Sequence, residues 1–257
     1  MNLRVILCLA VLAAGCGATA PPAATATPTA TATPTATAPP AATATPTVTP
    51  ETLIEGVYQP LWPFAGLREA REWQDRDRPQ GHQPWHEDAP FTALSFTQGY
   101  LGLQEIDQVV STRIQGRHAR VTVGYRSPES KQPAPAAVIH LIRYGPGEHA
   151  PWEVVGTDDT TLTLTTPRYG SAVRSPVTVG GRITGVDESI RVRVHQPSAA
   201  KPLAETAGVP AGGENRPWSA EVAFTAKPGE VVTIVAVTGG HVADVERFAV
   251  TGVTSGP

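Results

Sequence analysis

The sequence predicts two folded parts, an α+β part with two helices packed on an antiparallel sheet, followed by an all-β sandwich. Three observations predict them. Apolar residues recur at helical spacing in two stretches between residues 64 and 101. Strand-like segments follow between residues 119 and 155. Beyond them the chain breaks into about seven short strand-like runs separated by Gly and Pro.

The folded parts are preceded by fifty residues of a different character. Met1–Arg4 carries one positive charge and 5–14 is a ten-residue apolar stretch, too short to cross a bilayer of ~30 Å as a helix. Residues 1–15 therefore read as a signal peptide, closing on the small residues Ala13, Ala14 and Gly15 before Cys16. The run LAAGC resembles the lipobox of bacterial lipoproteins. That resemblance implies a diacylated Cys16 as the mature N-terminus and attachment to the outer face of the bacterial membrane. Cys8 lies in the removed segment, so Cys16 would be the one cysteine of the mature chain and no internal disulfide could form.

Residues 16–50 form a tract dominated by Ala, Thr and Pro in which PPAATATPT occurs twice, from Pro21 and from Pro39. Recurrent proline removes amide donors, and nothing in the tract is bulky enough for a core, so it reads as a disordered stalk. In polyproline II its length from Thr19 to Pro50 would reach up to ~100 Å. Thr beside Pro suits O-glycosylation.

The first folded part is expected over 51–157. Phe64, Leu67, Ala70 and Trp73 recur every three residues and predict a helix over 64–76. QGHQPWHEDAP is a loop, and Asp88 caps a second helix that runs to about Leu101, with Pro90 in its first turn. Phe91, Leu94 and Leu101 would form its apolar side, with Ala93, Phe96 and Tyr100 adjacent. Ala119 to Tyr125 alternates apolar and polar residues, as a strand with one wet face does. Ala136 to Tyr144 is apolar on both faces, as a central strand would be, and Trp152 to Val155 gives a third strand. The order faintly resembles the cone-shaped nuclear-transport-factor-like fold, which implies a sheet wrapped round a pocket.

The second part is expected over 158–257. Ile190, Val192 and Val194 alternate with Arg191, Arg193 and His195, and Trp218 to Thr225 alternates likewise. Val231 to Val237 is apolar on both faces, as a central strand would be, and a short strand lies near Leu203. About seven strands in ninety residues suggest a sandwich of immunoglobulin type without its disulfide. Pro167, Gly170, Val173, Ser175, Pro176, Val179 and Gly181 match, place for place, the opening of the bacterial spore germination immunoglobulin-like domain, which this segment resembles. PWSAEVAF (217–224) is similar to that family's aromatic strand, whereas TGGHVADVERF (238–248) departs from its closing loop. The resemblance implies an envelope binding module and carries over no catalytic residue.

Candidate chemistry is sparse. His82 and His86 are four apart, but Pro84 between them makes a loop, so no metal site is expected. His140 is a candidate base or ligand-binding residue among Val138, Ile142 and Tyr144. Asp158 and Asp159 read as turn residues. Gly239, Gly240 and His241 form a flexible candidate binding loop, and 207–217 reads as a long insertion between strands. The row Arg191, Arg193, His195 reads as an ordinary exposed strand face.

The chain has a formal charge of −3, or −4 once Arg4 is removed, and no basic cluster interleaved with aromatics, which excludes nucleic acid as the expected partner. It has no G-x-S-x-G, H-E-x-x-H or P-loop. No cofactor and no metal are expected. The expected function is a non-enzymatic cell-surface lipoprotein that binds or scaffolds an envelope protein or glycan. The alternative is a small-molecule pocket in the first part, a ligand receptor or a weak enzyme using His140.

Overall fold

A computed structural model of the chain describes residues 53–158 and 161–256. The predicted signal peptide, Cys16, the stalk and Asp159 lie outside the described residues. The structure is mostly β, with 45% strand and 15% helix.

A first sheet runs antiparallel in sequence order: β1 (Gln108–Gln115), β2 (His118–Tyr125), β3 (Ala134–Arg143) and β4 (Trp152–Thr157). The second contains β5 (Ala172–Val173), β6 (Val177–His195), β7 (Ala204–Glu205), β8 (Val209–Val222), β9 (Val231–Thr238) and β10 (Arg247–Ser255), in the order β5-β10-β9-β6-β7. Up to Ile190, β6 pairs with β8, and from Arg191 onward it pairs with β9. One long strand thus serves two ladders, and one of the two sheets is nearly closed and barrel-like.

This corrects the expected fold class. The expected pair of an α+β domain and a separate immunoglobulin-like sandwich does not form; all described residues belong to one compact unit. The reason lies in β9 and β10. Val232, Ile234, Ala236, Ala249 and Val253 point into the second sheet's own interior. Val235, Val237, Phe248 and Val250 point the other way, into a core shared with Ala119, Val121, Ile139, Leu141 and Trp152 of the first sheet. Each such side chain contributes about 1.5–3 kcal/mol on burial. Several of them spanning both sheets make two independent cores impossible. The apolar run of β9 therefore marks a layer covered on both sides.

The helices also differ from expectation. Instead of lying together on one face of the sheet, they take opposite faces. α1 (Leu67–Glu72) continues as a wider π turn over Trp73–Asp77. Ala70 and Trp73 pack with Ile142, Tyr144 and Val155 on the outer face, which is why β3 is apolar on both sides. α2 (Ala89–Leu94), prolonged as a π turn over Ser95–Tyr100, packs on the inner face against β2 and β4. Asp88 caps it as expected, its Oδ1 accepting the Phe91 amide at 2.9 Å. The buried side of α2 is Ala89, Ala93 and Phe96, because the two alanines let the helix approach the sheet closely; Phe91 is left 53% exposed.

β1 was not expected. Seven of its eight residues are exposed, so it lacks the apolar alternation that marks a covered strand. The expected insertion at 207–217 is mostly strand, since β8 extends through it and pairs with β6 across two register shifts.

The residues that carry the family resemblance have visible local reasons. Leu162–Thr166 lies along the start of β6, with the Thr163 amide donating to the Arg182 carbonyl at 2.8 Å. A Cβ on Gly181 would stand 1.9 Å from the Thr163 carbonyl oxygen, so only glycine fits there. Gly181→Ala is expected to cost about 1–3 kcal/mol, read as a lower urea midpoint with an unchanged m-value.

Candidate functional site

Two polar constellations stand out, and they lie on different parts of the molecule. The first surrounds His140. β2 and β3 pair with Arg120 opposite His140, so His118, two residues earlier on β2, is its diagonal neighbour on the same face. His118 Nδ1 lies 3.0 Å from His140 Nε2, and His118 Nε2 lies 3.2 Å from Glu55. On the far side, His140 Nδ1 is 3.9 Å from Asp158, which accepts from Arg120 Nε at 2.6 Å. The Tyr58 ring meets both imidazoles edge-on at centroid distances of 5.8 and 5.2 Å.

His140 itself is 4% exposed. Burial, and then the Arg120 charge, push its pKa down to about 4 against the pull of Asp158, so it is neutral at pH 7. Tyr58, His118 and Asp158 wall the His140 ring, which gives a substrate no approach. It acts as a buried strut holding the Ile54–Tyr58 turn on the sheet.

The second constellation is a cleft of about 490 Å³ lined by Glu105, Asp107, Tyr125, Arg126, His241 and Asp244, with Gly240. Three segments build it: the approach to β1, the end of β2, and the loop between β9 and β10. That loop is the expected Gly239-Gly240-His241 segment, and it is pinned rather than flexible. Glu246 Oε1 accepts the amides of His241 and Val242, each at 2.8 Å, and the Gly240 amide donates to the Ala243 carbonyl at 2.7 Å. Burial alone would push the Glu246 carboxyl up. The amides of Val242, His241 and Ala243 outweigh it and hold the group below the usual carboxylate range. A Cβ on Gly239 would lie 2.5 Å from the Asp244 carbonyl oxygen, so this glycine permits the closure of the loop. Gly240 and His241 line the cleft, whereas Gly239 does not.

Asp244 closes one side. Its carbonyl accepts Arg191 Nη2 at 2.9 Å, and its amide donates to Glu105 at 3.3 Å. The guanidinium of Arg126 has no hydrogen-bond partner among the described residues. The cleft thus presents carboxylate acceptors beside one cationic donor and the Tyr125 edge, a set suited to hydroxyl-rich or mixed-charge ligands.

The remaining candidates are structural. His86 faces inward among Phe64, Trp73 and Trp85, while the exposed His82 lends its carbonyl to Trp73 Nε1, so the two do not converge on a metal. No cluster of three metal-ligating side chains occurs among the described residues. The row of Arg191, Arg193 and His195 is not an open face. Arg191 pairs with Asp244, Arg193 with Glu205, and His195 is buried against Tyr100, because this side of β6 abuts the shared layer.

Comparison with models of known protein families gives no match to this chain, and comparisons with curated proteins and with solved structures give none either. The likeness read in Pro167–Gly181 is carried by those residues alone.

Proposed function

We propose that this chain is a non-enzymatic binding or scaffolding module of the bacterial envelope, tethered to the outer face of the membrane through a lipid on Cys16 and a stalk, with its ligand seated in the cleft between Arg126 and the β9–β10 loop. LAAGC and the Ala/Thr/Pro tract support the tether, and the likeness of Pro167–Gly181 to an envelope module supports the class. The observation that carries the reading is the cleft. Its loop is held in one shape by Glu246, so a ligand meets polar groups already in place and little ordering cost remains.

The cleft's carboxylates and guanidinium favour a glycan over an apolar ligand. The test uses residues 44–257, which include every described core residue and neither cysteine. This fragment is expected to co-sediment with purified bacterial cell-wall glycan, and Asp107→Ala with Arg126→Glu to weaken retention at least about tenfold, equivalent to ~1.4 kcal/mol. Equal retention of parent and double variant removes the cleft from the reading. For the tether, mass spectrometry of the chain isolated from membranes is expected to find Cys16 as a diacylated N-terminus. A bare thiol there, or a retained Met1, overturns it.

A further inference from the structure

The first sheet has one closed edge and one open edge. β4 is closed by the preceding chain, since the Leu61 amide donates to the Val154 carbonyl at 3.0 Å and the Val154 amide to that of Trp62 at 2.8 Å. β1 pairs with β2 on one side, and on the other its backbone has no partner among the described residues. An open edge of eight residues is a template for another strand.

The side chains point the same way. Val109, Thr112 and Ile114 stand opposite Val123, Val121 and Ala119, all fully buried, so they continue the sheet's core face beyond its cover. Val109, Val110 and Ile114 are exposed there, and so is Phe91 on α2, which packs beside β1. These four are most of the large apolar side chains exposed among the described residues, which makes this the molecule's principal apolar patch.

We infer that a second copy of this chain occupies the edge, β1 pairing antiparallel with β1 about a two-fold axis through Thr112. Hydrogen-bonded and non-hydrogen-bonded pairs alternate along an antiparallel ladder, so a symmetric axis must pass through a residue and never between two. The centre of β1 offers Ser111 or Thr112. An axis on Ser111 sets Val109 against the partner's Arg113. An axis on Thr112 sets threonine against threonine, Val110 against the partner's Ile114, and Ser111 against the partner's Arg113. Apolar residues then meet apolar ones, and no like charges face each other. The bulge between Val109 and Ser111 twists the edge and limits the regular contact to a few pairs, which makes the dimer weak and concentration-dependent.

Residues 44–257 test this directly. Sedimentation equilibrium is expected to show a mass rising from monomer toward dimer with concentration. Ile114→Lys, at an exposed position, is expected to abolish that rise while leaving the urea midpoint unchanged. The fragment has no native cysteine, so cross-linking reads the register: Thr112→Cys should yield at least about ten times more oxidised dimer than Arg113→Cys. Mixing Ser111→Cys with Arg113→Cys should restore cross-linking. A monomer at every concentration overturns the proposal. Equal cross-linking of Thr112→Cys and Arg113→Cys, or association that survives Ile114→Lys, overturns it too.

Discussion

Phe248→Ala is expected to lower the stability of the whole folded unit by about 3–5 kcal/mol, with both sheets unfolding in one transition. Phe248 is on β10, yet its fully buried ring sits in the core formed with β2, β3, β4 and α2. Single domains carry only about 5–15 kcal/mol in total, so the loss is a large fraction. The tryptophans make a convenient reporter. Trp62, Trp73, Trp85 and Trp152 lie in the first part and only Trp218 in the second. A substitution in the last strand should therefore shift a fluorescence signal that comes mostly from the first part. Urea unfolding followed by fluorescence and by far-UV circular dichroism should give coincident curves for parent and variant. A fluorescence transition left in place by Phe248→Ala would mean that the two parts fold separately.

Stability is expected to fall toward acid and toward alkaline pH, for opposite reasons. His86, His140 and His195 are buried, and burial pushes each of them down to about 4. Unfolded histidine takes up its proton near 6.5, so the stability these rings contribute is complete above that value. It is lost as pH falls toward 4, at about 1.4 kcal/mol per pH unit for each ring. Glu153 acts in the other sense. It is fully buried on β4, one oxygen accepting the Phe64 amide at 3.2 Å and the other without a partner, and burial raises its carboxyl well above the usual value. The folded chain keeps this proton after the unfolded chain has released it near 4.5. Stability therefore declines as pH rises, until the folded group ionises.

Glu153→Gln removes that second dependence. The variant should gain on the parent by about 1.4 kcal/mol per pH unit above 4.5 until the folded carboxyl ionises, flattening the alkaline limb and steepening the acid one. Urea midpoints at pH 5, 6.5 and 8 measure this. Parallel profiles for parent and variant would show that Glu153 is already ionised in the folded chain.

Local signals in the sequence held where a residue acts on its own neighbours. Asp88 caps α2, and Ala70 and Trp73 face inward from α1 and its continuation. The alternation in β2 and in the later half of β6 correctly marked one covered face. Of the candidate site residues, Gly240 and His241 do line a cleft. The rest of that cleft was not legible, because Glu105, Asp107, Tyr125, Arg126 and Asp244 come from separate segments and none forms a motif. His140 stood out as a polar residue in an apolar strand. Its partner His118 could have been found only by assuming the β2–β3 register, which puts the two rings on one face. β1 left no signal, since a strand with both faces exposed needs no apolar period.

By itself the sequence determined periods, caps, turns and which strands are covered on both sides. Tertiary structure alone decided what covers them. Alternation records that a face is buried and carries no address for its neighbour, so β9 reads the same whether a second sandwich layer or a foreign sheet lies over it. Hydrogen bonds between the earlier and later parts of the chain link residues more than a hundred apart: Gln59 with Tyr169, Tyr100 with Thr233, Glu105 with Asp244. Such pairings are set by the packing of whole layers, and no local pattern specifies them.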